Sequence, residues 1–391
     1  MYMTDLYIIE KIKVFEYNLP PPLGYCQPFS VSLFAITWVY IKFATREKIG
    51  TYHILQLFFL DTQFALPYTS STKKKEFLSK LINNVLTIDI EDYFQVHAFS
   101  GVINPASWDN YKSRVEHNTY KVLELLDRRG AATNQPKYSK DADSSVKATF
   151  FILGWIAERY PGLVKEIMAQ GHEVASHGYC HTLVTRQTPE EFRADIAKTK
   201  KILEDITGDE VIGYRASTYS ITKKTVWALK ILAEEGYRYD SSIFPVYHDV
   251  YGFPGAPRFP FKVNLKGDAL IGLNHSTPSN DLNSYSALWE FPVSTFRFWG
   301  QNLPVAGGGY FRLFPYWLTK RLIGRINRRE KKPFVFYIHP WEFDPDQPRI
   351  YNAPLKSRFR HYLNLNKVED RFRKLLRDFK FVAIKDLMWG K

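Results

Sequence analysis

Cysteine is nearly absent: Cys26 and Cys180 are the only two in 391 residues. So few exclude a disulfide scaffold and a cysteine-cluster zinc site. They are compatible with a reducing compartment. No apolar run reaches the ~20 residues that a membrane span needs. The longest, Phe29 to Ala44, is interrupted by Lys42. No basic start leads promptly into an apolar core and a small-residue cleavage site, so no secretory leader is read. The expected localisation is therefore cytoplasmic, with membrane association left open. No glycine-rich phosphate loop and no nucleic-acid motif is found. Acidic residues are the minority, 40 against 53 basic, for a net charge of +13.

Hydrophobic residues make up 45% and charged residues 24%, as in a soluble globular protein. The aromatic share of 16% can fill a large core and line a sugar-binding cleft. The positive charge points to an anionic partner, a phospholipid surface or an acidic glycan rather than nucleic acid. It concentrates in Arg321 to Lys332 and Arg358 to Arg377.

Residues 1–80 differ from the rest. Pro20, Pro21 and Pro22 break any element there, and Thr69 to Lys75 reads as a linker. The expectation is a poorly ordered or membrane-associating extension. From Val85 the pattern becomes regular. Strands are expected at 85–90, 146–153, 173–176, 211–214, 237–240, 334–338 and 381–384. Between them, apolar residues at helical spacing mark 115–129 (closed by Gly130), 163–168, 188–207, 225–235 and 368–379. Thr188, Pro189 and Glu191 make a complete helix start. The alternation implies βαβ units and a parallel sheet, a barrel rather than a dinucleotide-binding fold. The polar clusters all follow strands, which in such a barrel is the catalytic face.

The first cluster is Asp89-Ile90-Glu91-Asp92. Asp89 and Glu91 face the same side of a strand, which suits a general base beside a metal ligand. The second contains His177 and His181, four apart and able to meet at one cation; neutral imidazole suits zinc. Arg215 follows a third strand and can hold a carboxylate by a bidentate pair. Asp240 ends a fourth strand. His339 ends a fifth, and Trp341 beside it is suited to stacking on a sugar.

These segments resemble the polysaccharide deacetylases of the NodB-homology class, carbohydrate esterase family 4. The matching stretches are 86–96, 148–155, 173–181, 214–215, 239–242 and 336–342. Within that class the chain is similar to the subfamily found with exosortase (PEP-CTERM) exopolysaccharide loci. Its C-terminal extension, about 285–391, is visible in Glu290–Val293, Asn302–Pro304 and Gly307–Arg312. The resemblance covers a domain of residues 84–391 and implies a distorted (β/α) barrel. It implies a divalent metal, zinc first, then cobalt, nickel or iron. It makes Asp89 the general base, His177 and His181 metal ligands, Arg215 the residue that orients Asp89, and His339 the general acid. The family's commonest motif has adjacent aspartates, whereas Ile90 follows Asp89 here. Glu91 is the expected carboxylate ligand, because it shares a strand face with Asp89, and Asp92 is its competitor. Ser217 stands where proline is common. Trp341, Tyr310 and Tyr179 are the expected sugar-stacking residues, and Gly307 to Gly309 is expected to let backbone approach a ligand. The implied reaction is removal of N-acetyl groups from amino sugars of a bacterial exopolysaccharide or its lipid-linked precursor. The alternatives are an amidohydrolase of a small cyclic amide or ureide and a non-catalytic glycan-binding protein.

Overall fold

A computed structural model describes residues 82–127, 145–248, 251–265 and 288–390, and the backbone of five short strands nearer the N-terminus. The chain divides into two compact units, Met1–Thr69 and Ser70–Lys391. In the first, β1 (Asp5–Tyr7) and β5 (Lys48–Gly50) flank β4 (Lys42–Thr45), and β2 (Lys13–Glu16) pairs with β3 (Ala35–Trp38), all antiparallel. Apart from these strands, the extension expected at 1–80 lies outside the described residues. So do the linker at Thr69–Lys75 and the stop at Gly130.

The second unit is built on β6, Asn83–Ile90. Its Val-Leu-Thr-Ile-Asp-Ile run is buried throughout, as a strand covered on both faces requires. It pairs in parallel with β7 (Thr149–Ile152), β15 (Val335–Ile338) and β16 (Lys380–Val382). Beyond β7 come β8 (Glu173–Ser176), β9 (Gly213–Tyr214), β10 (Tyr239–Asp240) and β12 (Trp289–Glu290), all parallel. An antiparallel β11 (Phe261–Lys262) closes that edge. The two ends of the row are drawn together by Ser294. Its N–H donates to the Val335 carbonyl at 3.4 Å, and its hydroxyl accepts from the Val335 N–H at 2.8 Å. The expected distorted barrel is thus a curled sheet of α/β type, pinned where its ends meet. Residues 285–391, expected as an extension, supply β12, β15 and β16 to this same sheet.

Helices alternate with the strands: α1 (Val115–Leu126), α2 (Gly154–Arg159), α3 (Pro161–Ala169), α4 (Pro189–Thr207) and α5 (Trp227–Glu234). The start of α4 follows its sequence signal. The Thr188 hydroxyl accepts from the Glu191 N–H at 3.2 Å, and the Glu191 carboxylate accepts from the Thr188 N–H at 2.8 Å. The expected strands at 146–153, 211–214 and 237–240 are shorter than read. Flanking apolar residues such as Val146, Leu153, Val211 and Tyr237 pack in the core outside the paired strands. No helix of the described residues is long and apolar enough to cross a membrane.

The ladder continues one bond past the strand ends. His177 donates its backbone N–H to Ile152, Arg215 to Ser176 and Ser241 to Tyr214, at 3.0, 2.9 and 2.9 Å. Residues at the same height on neighbouring strands are thereby set side by side, and these carry the site.

Candidate active site

Three side chains meet at the end of the sheet. Single ligand atoms of Glu91, His177 and His181 all lie within 4.8 Å of one another. His177 Nδ1 sits 2.8 Å from the Arg215 carbonyl. A carbonyl can only accept, so Nδ1 carries the proton and Nε2 presents its lone pair. The turn bringing His181 back needs left-handed backbone at Gly178 (φ 72°) and at His181 itself (φ 52°). Asp195 of α4 fixes that turn by accepting the Tyr179 N–H at 2.9 Å. Burial lowers the pKa of His177, and it pushes His181 down to about 4. Both rings are therefore neutral, as ligands must be. Burial works against the charge of Glu91, yet His181 and His339 beside it hold its carboxyl at about 2. Glu91 Oε2 is buried with no hydrogen-bond partner, 3.5 Å from His181 Nε2. Two neutral imidazoles and a carboxylate with one orphaned oxygen fit a divalent metal with coordination positions to spare.

Asp89 lies beside this cluster on β6. Its Oδ1 accepts from Arg215 Nη1 at 2.6 Å, and both residues are buried. The expected bidentate pair is not formed. Nη1 also donates to Thr87 Oγ1 at 2.7 Å, while Nη2 and Nε go to the Ser241 hydroxyl and carbonyl at 2.8 and 3.0 Å. The guanidinium spans three strands and holds Asp89 by one oxygen, leaving Oδ2 turned to the site. The Tyr219 hydroxyl stands 3.5 Å from Oδ2. Tyr219 and Thr218 are both left-handed, with φ 53° and 55°. Sequence reasoning missed Tyr219, because its approach depends on that loop conformation and no pattern announces it.

His339 faces the same space. Its Nε2 is 3.0 Å from Glu91 Oε1 and 3.9 Å from Asp89 Oδ2, and its Nδ1 is 2.8 Å from Glu342 Oε1. Burial alone would lower its pKa, but the Glu91 and Glu342 carboxylates raise it to about 10. Glu342 is in turn paired with Arg312, Oε2 to Nε at 2.6 Å. Burial raises the carboxyl, and the charges of Arg312 and His339 outweigh it, so Glu342 stays ionised. Neither Arg312 nor Glu342 carried a role in the sequence reading, although both fall within matched motifs.

Other expected site residues lie apart from the cluster. Asp92 is not among the three grouped side chains. Its carboxylate accepts from the N–H groups of Tyr93, Arg114 and Val115 and from the Ser113 hydroxyl, at 2.7–3.1 Å, and so caps the start of α1. We expect Asp92→Ala to cost about 1–3 kcal/mol of stability while metal content stays at the wild-type level. Denaturant titration and elemental analysis would check both, and loss of bound metal would restore Asp92 as a ligand. Trp341 is buried between the rings of His339 and His361, at 5.3 and 4.2 Å, and offers no face to a sugar. Tyr179 bonds Glu158 through its hydroxyl, and Lys198 Nζ covers its ring at 3.3 Å. Tyr310 remains partly exposed, and its ring lies 6.4 Å from that of Phe314. Gly307 (φ 123°) approaches protein rather than ligand: a Cβ there would sit 1.9 Å from the Tyr337 carbonyl oxygen. Cys180 packs against the core, and burial raises its thiol to about 11, which suits an inert side chain. Asp240 is buried and accepts from the Ser242 hydroxyl.

Residues 142–239 match the polysaccharide deacetylase family model, and residues 241–389 match a domain of unknown function, DUF3473. The peptidoglycan deacetylase-like protein FGM2 of Gibberella zeae is 32% identical over 138 residues, covering 34% of this chain and 36% of that one. The peptidoglycan-N-acetylglucosamine deacetylase PgdA of Listeria monocytogenes is 45% identical over 64 residues, covering 16% and 14%. The chain thus spans 36% and 14% of the length of these two relatives. A solved peptidoglycan N-acetylglucosamine deacetylase, Bc1960, aligns with TM-score 0.35 and 14% identity, over 78% of this chain and 88% of that one. The segment 142–239, which holds His177, His181 and Arg215, is the part of the chain that resembles the polysaccharide deacetylases.

Proposed function

We propose that residues 84–391 form a metal-dependent N-deacetylase acting on N-acetylated amino sugars of an exopolysaccharide or its lipid-linked precursor. The observation that carries this reading is the Glu91, His177 and His181 cluster with Asp89 and His339 on either side of it. A divalent metal held by those three residues, zinc by its donor set, would polarise the acyl oxygen and lower the pKa of an attacking water. Asp89, its Oδ1 tied to Arg215, takes the water proton on Oδ2 as the oxygen joins the acyl carbon. His339 delivers its Nε2 proton to the sugar nitrogen as the C–N bond breaks, so the amine leaves neutral and acetate remains. Without that proton the leaving group would be an amide anion. Arg215 and Glu342 fix the two proton carriers before substrate arrives. The segments Glu290–Val293, Asn302–Pro304 and Gly307–Arg312, similar to the exosortase-associated subfamily, support an exopolysaccharide rather than a wall polymer.

The test is acetate release from N-acetylglucosamine oligomers by purified protein, with and without chelator, alongside His177→Ala. The expected result is release that disappears with chelator, returns with added zinc, and is absent in the variant. Tight metal binding without acetate would reject the sugar substrate and turn attention to small cyclic amides. Absence of metal binding would reject the mechanism and leave a glycan-binding role.

A further inference from the structure

The segment from Arg349 to Tyr362, ending in helix α8 (Leu355–Tyr362), has a character that the hydrolytic site does not use. Tyr351, Leu355 and Phe359 are 72%, 78% and 53% exposed. Leu355 and Phe359 stand one turn apart, so they share a face of the helix. Around them lie Arg349, Lys356, Arg358 and Arg360, and no acidic residue occurs between Asp346 and Glu369. Arg349 and Arg358 rest on the rings of Tyr362 and Tyr351, at 4.1 and 5.4 Å, and bond only backbone carbonyls. Among the described residues none of the four cations forms an ion pair with a carboxylate.

This surface is fixed to the catalytic end of the sheet. His361 stacks on Trp341 at 4.2 Å, and Trp341 lies 5.3 Å from His339. Arg312, which holds Glu342, also donates to the carbonyls of Arg360 and His361 at 2.8 and 2.6 Å. Whatever binds α8 is therefore held at a set distance from His339.

We propose that Tyr351 and the outer face of α8 form a docking surface for an anionic phospholipid bilayer. This goes beyond the deacetylase reading, and the docking itself does not depend on it. An acidic glycan would pair with the cations but leave Leu355, the most exposed of the three, without a role, because sugars stack on flat rings. A bilayer uses both halves of the surface. Apolar side chains enter the boundary between headgroups and acyl chains, and cations rest among anionic headgroups.

The experiment is co-sedimentation of the full chain with vesicles of phosphatidylcholine mixed with phosphatidylglycerol, and with vesicles of phosphatidylcholine alone. The expected result is binding to the anionic vesicles that weakens in high salt and is slight without phosphatidylglycerol. Lys356→Gln/Arg358→Gln should weaken it roughly fivefold per cation removed. Leu355→Ser/Phe359→Ser should weaken it by at least about tenfold. Thermal melts of both variants should stay close to wild type, since Leu355, Lys356 and Phe359 are exposed and half-buried Arg358 bonds only one backbone carbonyl. Acetate release from soluble oligomers should be unchanged. Failure of wild type to bind anionic vesicles overturns the proposal. So does undiminished binding by both variants, which would place membrane contact elsewhere in the chain. Binding to soluble heparin, lost in the same variants and without vesicle binding, would replace the bilayer with an acidic polymer. If no acetate is released by any form while vesicle binding behaves as expected, the deacetylase reading fails and the docking surface stands.

Discussion

Asp89→Asn should lower acetate release by about 10²–10⁴-fold, the usual worth of a positioned general base. Metal content should be unchanged, because the cluster is Glu91, His177 and His181. The substitution also has a structural cost. Arg215 is fully buried, and Asp89 is its only carboxylate partner among the described ion pairs. Breaking a buried pair by neutralising one side costs about 3–5 kcal/mol. The three other bonds of the guanidinium, to Thr87 and Ser241, oppose that loss. The rate should therefore be measured on material shown to be folded by circular dichroism, with metal content measured on the same sample. A folded, metal-loaded Asp89→Asn protein that still releases acetate at the wild-type rate would remove Asp89 from the chemistry.

Glu342→Gln should act on stability and on pH dependence together. Glu342 is the only carboxylate that Arg312 pairs with among the described residues, and both are buried. Neutralising it leaves the guanidinium with backbone carbonyls alone, at a cost of about 3 kcal/mol read by denaturant titration. The pH effect follows from His339, whose pKa the Glu91 and Glu342 carboxylates raise to about 10 against the pull of burial. As general acid His339 must be protonated, so activity falls as pH rises through its pKa. On the proposed assignment Glu91 would be the metal's carboxylate, which leaves Glu342 as the group that keeps the proton on His339. Removing its charge lowers that pKa, and the alkaline limb of the rate profile should move to lower pH. An alkaline limb that stays in place, in a variant that has lost stability, would make Glu342 purely structural.

Much of this protein can be read from local pattern. The buried run at 85–90 and the Thr188 capping box each encode one element within a few residues, and each forms as expected. The identity of the cluster is legible for a related reason. A strand of period two puts Asp89 and Glu91 on one side, and histidines four apart can turn back to one point. Asp92 and Trp341 sit in the same motifs, yet their side chains went elsewhere, to the start of α1 and to the ring of His361. Sequence spacing is blind to such choices, because the competing partner lies more than twenty residues away in the first case and arrives from another helix in the second.

The sequence by itself determined that strands alternate with helices, that acids and histidines gather at strand ends, and that a metal-centred hydrolytic site is the chemistry they suit. Those are properties of residue type and short-range periodicity. Tertiary structure decided the rest. It left an oxygen of Glu91, not of Asp92, without a partner by committing Asp92 to backbone N–H groups. It gave His339 a second carboxylate in Glu342, brought Tyr219 to Asp89 through a left-handed turn, and pinned the two ends of the sheet at Ser294 and Val335. All but the His339–Glu342 contact, three residues apart, are contests between partners distant in the chain, settled by which buried polar group would otherwise go unpaired.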